Sequence, residues 1–193
     1  MNVPIRSRKI INSIAVLRLL ADPVKLRIYE ALLAAPTSPH GLALRFGLKP
    51  TALYHHFDKL GAAKLIEVAE RRQRRGVTER LYRPTAKQLV VDRRLLRTTR
   101  GSRSVKAVLA VASAILQVTA EDIRAAAAGP TRPLADRDRS EVAMVLVRTT
   151  PARARQLMRK LRALLGTATR FNGSGRTAVR LTLALVPVHQ AKR

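Results

Sequence analysis

Apolar positions recur at helical spacing through most of the first sixty residues. Ile11, Ile14, Ala15 and Leu17 follow a three-to-four repeat and predict a helix over about residues 8–20. Asp22-Pro23 sets an N-cap before a proline at the first helical position. Leu26, Tyr29, Leu32 and Leu33 then form the stripe of a second helix, which Pro36 stops. Ser38-Pro39 repeats the start signal for a short helix through Leu42, Ala43 and Phe46, with Gly47 as its C-cap. Pro50 opens a fourth helix after Lys49, with Leu53, Phe57 and Leu60 as its apolar face.

The texture then changes. Leu65-Ile66-Glu67-Val68 alternates as a strand does, and Val77 to Pro84 reads as the return strand of a hairpin. The turn between them is Arg71-Arg72-Gln73-Arg74-Arg75-Gly76. Residues 85–103 read as a basic connection with a short apolar piece, Leu89 to Val91. An Ala-rich helix follows over about 104–128, with the stripe Val108, Val111, Ala112, Ile115, Val118 and Ile123, and Gly129-Pro130 ends it. After a polar loop at 131–140 come an apolar run at 142–147, a helix from Pro151, and a second alternating run at 177–188. Strand–helix–strand is a βαβ order. Two strands alone are marginal, so a second subunit or the Leu89–Val91 piece would complete the sheet.

The expected class is therefore α+β: a winged helix-turn-helix domain at 1–86, a connection and long helix at 87–130, and a βαβ unit at 131–193. Residues 46–49, Phe-Gly-Leu-Lys, form the turn between the third and fourth helices. In such a motif the first helix braces on the DNA backbone and the second enters the major groove.

Charge turns this fold expectation into a functional one. The 193-residue chain holds 38 Lys+Arg against 12 Asp+Glu, a net charge of +26. Repulsion on that scale destabilises a compact monomer and favours a polyanionic partner, double-stranded DNA before an anionic membrane. Hydrophobic residues at 47% exclude a disordered basic tail, and aromatics at 3% argue against a single-strand binder built on base stacking. The absence of cysteine removes disulfides, iron–sulfur clusters, Cys-based zinc sites and thiol nucleophiles.

Thr51, Ala52, Tyr54, His55 and Lys59 lie on the face of the fourth helix opposite Leu53, Phe57 and Leu60. They form the expected DNA-contacting set, together with Lys49 at the turn. Thr51 and Ala52 suit a thymine methyl, Tyr54 and His55 can hydrogen-bond, and Lys59 can reach phosphate. The hairpin would supply a basic wing through Arg71, Arg72, Arg74, Arg75 and Arg80, neutralising phosphates and releasing counterions. Residues 71–83 hold six Arg and one Glu, so they alone contribute +5. The 17 basic and five acidic residues after residue 100 add +12 outside any DNA-binding motif. That spread keeps a sequence-tolerant architectural protein in view as the rival reading.

Three segments resemble the ArsR-type winged helix-turn-helix regulators of bacteria and archaea. Leu20-Ala-Asp-Pro-Val-Lys-Leu-Arg-Ile-Tyr-Glu-Ala-Leu is similar to the opening helix of that family. Pro50-Thr-Ala-Leu-Tyr-His-His-Phe-Asp-Lys-Leu, leading into Lys64-Leu-Ile, is similar to its recognition helix and exit. Glu79-Arg-Leu-Tyr-Arg-Pro-Thr is similar to the return strand of its wing. The resemblance spans about residues 15–86 and implies a dimeric DNA-binding regulator. It also implies that His56 packs or hydrogen-bonds within the domain. The family's thiolate metal-sensing segment has no counterpart here, and its usual Gly at the end of the recognition helix is Lys64.

Other chemistries find little support. His55 and His56 are adjacent and sit about 100° apart on a helix, so they do not converge on one ion. Carboxylates are few and scattered, no phosphate-cradling loop is present, and no catalytic constellation forms, so no enzyme, metal or cofactor is expected. The longest candidate for a membrane span, residues 107–116, is too short and contains Ser113. Arg6, Arg8, Lys9 and Arg18 in an acid-free N-terminal stretch resemble an organellar presequence in composition, but the favoured reading is a basic arm leading into an amphipathic helix. The expectation is a cytoplasmic, nucleoid-associated homodimer joined through the first and long helices. The C-terminal unit would add to the dimer or hold a small-molecule effector.

Overall fold

The computed structural model describes residues 4–74, 77–96, 103–128, 149–168 and 181–182, and it is a mixed α+β protein. The chain divides into two compact units, Met1–Val118 and Thr119–Arg193. The first unit runs β1 (Arg6–Ile11), α1 (Ile14–Leu20), α2 (Pro23–Ala34), α3 (Pro39–Phe46), α4 (Pro50–Ala62), β2 (Ile66–Arg74), β3 (Val77–Pro84) and β4 (Ala86–Val91). A short 3₁₀ turn (Arg93–Leu96) and the first part of α5 (Arg103–Ala128) complete it. The second unit holds the end of α5 and helix α6 (Pro151–Ala168).

Local chemistry sets the helix limits. The Asp22 carboxylate accepts the Val24 N–H at 2.9 Å, with Pro23 next in the first turn of α2. Ser38 caps α3 by accepting the Gly41 N–H at 3.1 Å. Gly47 closes α3 in the left-handed conformation, with φ of 65°, and the Leu48 N–H reaches back to the Ala43 carbonyl at 3.0 Å. Lys64 ends α4 the same way, with φ of 54°; the Leu65 N–H donates to the Leu60 carbonyl at 3.0 Å. A lysine therefore holds a backbone position where glycine is unstrained.

Leu17, Ile28, Leu32, Leu42, Leu53, Phe57, Leu60 and Leu65 are fully buried in one core, which Ala107 and Val111 of α5 join. Strands β2 and β3 pair antiparallel, from Ile66 opposite Pro84 out to Arg74 opposite Val77. Thr37 adds an antiparallel bridge to Tyr82, which ties the α2–α3 connection to the hairpin.

Four expectations change. The helix expected over residues 8–20 is a strand up to Ile11 and a helix only from Ile14. β1 pairs in parallel with β4, Arg6 opposite Ala86 and Ile11 opposite Val91. The β-branched Ile10 and Ile11 suit a strand, and their partner lies too far along the chain for local periodicity to reveal. The Leu89–Val91 piece thus belongs to the first unit's β1–β4 pair. In α2, Lys25, Ile28, Tyr29 and Leu32 are buried, whereas Leu26 and Leu33 are half-buried, so the buried face is turned from the expected stripe.

In α5 the buried positions are Ser104, Ala107, Val111, Ala114 and Val118, while Ala112, Ile115 and Ile123 are exposed. The buried side chains at 104, 107 and 114 are small and carry little hydrophobic signal of their own. By length and composition, residues 103–125 of α5 are long and apolar enough to cross a membrane, so the candidate span is longer than the expected 107–116. The face at Ala107 and Val111 is used in the core of the first unit.

Helix α6 is present as expected and extends through Gly166 to Ala168, with no residue fully buried. In the same unit the Thr119 and Thr182 hydroxyls lie 2.9 Å apart. The loop at 131–140 and the strand expected at 142–147 lie outside the described residues. Of the strand expected at 177–188 only Leu181 and Thr182 are described, and neither is in a strand.

Candidate nucleic-acid interface

Helix α4 rests on its apolar face. Leu53, Phe57 and Leu60 are at most 1% exposed, and the Phe57 ring meets Tyr82 of β3 edge-on at 5.0 Å between centroids. That contact fixes the helix against the hairpin. The other face is open. Thr51, Ala52, Tyr54, His55 and Lys59 are all exposed, as is Lys49 before the first turn. Asp58 is exposed among them and adds one negative charge to that face. No side chain caps the start of α4 and no acid lies in its first turn, so its positive dipole end is uncompensated.

His56 sits where α4 meets α2. Its Nδ1 is buried without a hydrogen-bond partner among the described residues and lies 3.6 Å from the Asp22 carboxylate. Burial lowers the His56 pKa, the Lys25 ammonium lowers it further, and the Asp22 charge opposes both. Burial works against ionisation of Asp22. The hydrogen bond and charge of Lys25 outweigh it, aided by the Val24 N–H and His56, and hold that carboxyl below its ordinary range. The His55 and His56 rings stand at 67° with centroids 6.0 Å apart.

The hairpin splits into a buried base and an exposed arm. Near the base, Leu81 and Pro84 are buried, and Arg83 pairs with Glu67 at 2.8 Å. The register shifts between Val68 and Glu70, a bulge that bends the strand and raises its twist where the charged arm begins. Beyond it Arg71 stands directly opposite Arg80. Like charges in that position repel. Both side chains are exposed, with no ion pair to a described residue.

Ion pairs and hydrogen bonds within the hairpin modify the expected wing. Arg72 binds Glu70 through two hydrogen bonds, at 2.7 and 3.0 Å, so its charge is partly spent inside the strand. The Glu79 carboxylate accepts the Ser38 hydroxyl, which links the hairpin to the start of α3. Arg74 contributes backbone to β2, and Arg75 lies outside the described residues. Because β2 starts at Ile66, residues 66–84 hold six Arg and three Glu, a net of +3. Glu67 and Glu70, on the inner part of β2, account for the fall from the +5 of residues 71–83.

No known protein-family model matches this chain, and no curated protein is similar to it.

Proposed function

We propose that the chain is a transcriptional regulator that binds double-stranded DNA through a winged helix-turn-helix. Supporting this reading are the order α3, left-handed turn at Gly47, α4 and hairpin, and the resemblance of residues 15–86 to ArsR-type regulators. The observation that carries it is the pairing of surfaces in the first unit. One is the rigid, exposed face of α4 formed by Thr51, Ala52, Tyr54, His55 and Lys59. The other is a hairpin arm in which Arg71 and Arg80 oppose each other without an acid between them. Mutual repulsion at such a pair is relieved when a phosphate lies between or beside the guanidinium groups.

In this reading α4 enters the major groove and the arm lies on flanking phosphates. A homodimer would present two such helices to half-sites about one helical turn apart. Because residues 6–11 are engaged with β4, the candidate dimer surface is α1 with the exposed side of α5, where Leu109 and Leu116 are 60% and 56% exposed. The protein would act in the cytoplasm on the nucleoid, without cofactor or catalysis, and the second unit would take the effector or strengthen the dimer.

The spread of positive charge beyond residue 100 favours the second reading, a sequence-tolerant architectural protein. Selection of bound genomic fragments, followed by competition with bulk genomic DNA, separates them. A regulator retains a preferred site by about 10³-fold or more. Uniform loss of every fragment to the competitor contradicts the regulator reading.

A further inference from the structure

A cleft of about 440 Å³ lies between β1, the exit of α4 and the start of β2. Arg6 and Lys9 line it from β1, Lys64 from the end of α4, and Glu67 from β2. We propose that this cleft binds a phosphate-type oxyanion.

Three cations converge on the cleft from two elements distant in sequence. Glu67, the one acid among the described lining residues, is already engaged by Arg83 at 2.8 Å. The backbone is committed as well: the Lys64 carbonyl accepts both the Lys9 ammonium and the Thr85 hydroxyl, the latter at 2.9 Å. Arg6 and Lys64 are exposed, and neither is in an ion pair with a described residue. Lys9 is half-buried, and that burial with the nearby Arg6 and Lys64 charges pulls its pKa below the ordinary lysine range. The site is thus short of negative charge.

Lys64 is the second, independent pointer. It is the one non-glycine residue with positive φ among those described. A side chain kept at a strained backbone position points to a role for that side chain. The lining also narrows the ligand. Among the described lining residues there is no aromatic ring to stack a base. A guanidinium fork and two ammonium groups match the oxygens of a compact dianion.

Two sources can supply that group: a free phosphate compound or the DNA backbone. The oxyanion proposal itself does not depend on the DNA reading. The test is calorimetric titration of the full chain with inorganic pyrophosphate at physiological salt. It compares the wild type with R6Q/K64G and with R155Q/R159Q, which removes two exposed α6 cations.

One saturable site is expected, weakened about tenfold or more in R6Q/K64G and unchanged in the charge-matched variant. Lys64→Gly alone, which relieves the left-handed strain, carries the test if the double variant fails to fold. Duplex binding then identifies the source. Duplex affinity equal in the two double variants assigns the site to a free anion. A selective loss in R6Q/K64G, with pyrophosphate displacing duplex from the wild type, assigns it to backbone phosphate. Absence of saturable pyrophosphate binding, or equal weakening in both double variants, overturns the proposal.

Discussion

Helix α4 and the outer arm of the hairpin are adjacent in sequence and both exposed, yet they are built on opposite terms. α4 sits on three side chains that are almost wholly buried, and its exposed face carries few charges. Beyond the bulge, the described arm residues Arg71–Gln73, Thr78 and Arg80 are exposed, and only Glu79 is half-buried. A surface held by a core keeps its side chains in fixed relative positions and can discriminate between base pairs. A surface held only by a two-stranded ladder delivers charge with less positional control. In the proposed DNA-binding reading, that difference would give sequence preference to α4 and bulk affinity to the arm.

The largest expected effect breaks the foundation of α4. Phe57→Ala removes a buried ring that also braces Tyr82, and should cost about 3–5 kcal/mol in chemical denaturation. Leu164→Ala in α6, where the side chain is 50% exposed, should cost only about 0.5 kcal/mol. Equal costs would mean that α4 is no better anchored than α6.

Next come the two left-handed turns that bound α4. Gly47→Ala should destabilise by about 1 kcal/mol, and Lys64→Gly should stabilise by about 1 kcal/mol, since only glycine avoids the Cβ clash there. Thermal melts of the two variants should therefore move in opposite directions. A lower melting temperature for Lys64→Gly would show that its side chain stabilises the fold.

The arm is probed by salt. Arg71→Ala should weaken binding to all duplexes alike and reduce the salt slope by about one. Arg72→Ala should change the slope less, because Glu70 already neutralises that guanidinium. Identical slopes for the two variants would remove the distinction drawn between them.

The smallest effect concerns the α2–α4 contact. The depressed pKa of His56 makes protonation unfavourable in the folded state. Its contribution is therefore complete above the ordinary imidazole pKa of 6.5 and is lost as pH falls through the lowered value. His56→Gln should flatten part of the decline in stability between about pH 7 and 5. A decline as steep as in the wild type would exclude His56 as its source.

Much of this architecture was legible in the residues. Asp22-Pro23, Ser38-Pro39 and Gly47 mark helix limits through local hydrogen bonds and backbone preference, which need no distant partner. The alternation of buried and exposed positions along α4 follows from helical period alone, so its outward face was readable too. β1 was not, because its identity depends on pairing with β4 at the far end of the first unit. The buried face of α5 was not legible because its buried alanines and serine contribute little hydrophobic contrast. At the candidate interface the cations were visible, but the bond from Arg72 to Glu70 and the opposition of Arg71 and Arg80 depend on strand register across a bulge. The basic cleft was hidden for a related reason: Arg6 and Lys9 meet Lys64 only through the β1–β4 pairing and the left-handed end of α4.

The most direct test of the division between α4 and the arm is the ratio of affinities for a selected genomic site and for bulk DNA, measured in Y54A/H55A and in R71A/R80A. The account predicts that Y54A/H55A lowers the ratio by about tenfold or more while bulk affinity holds. R71A/R80A should lower both affinities together and leave the ratio unchanged. A ratio untouched by Y54A/H55A, or abolished by R71A/R80A, would contradict it.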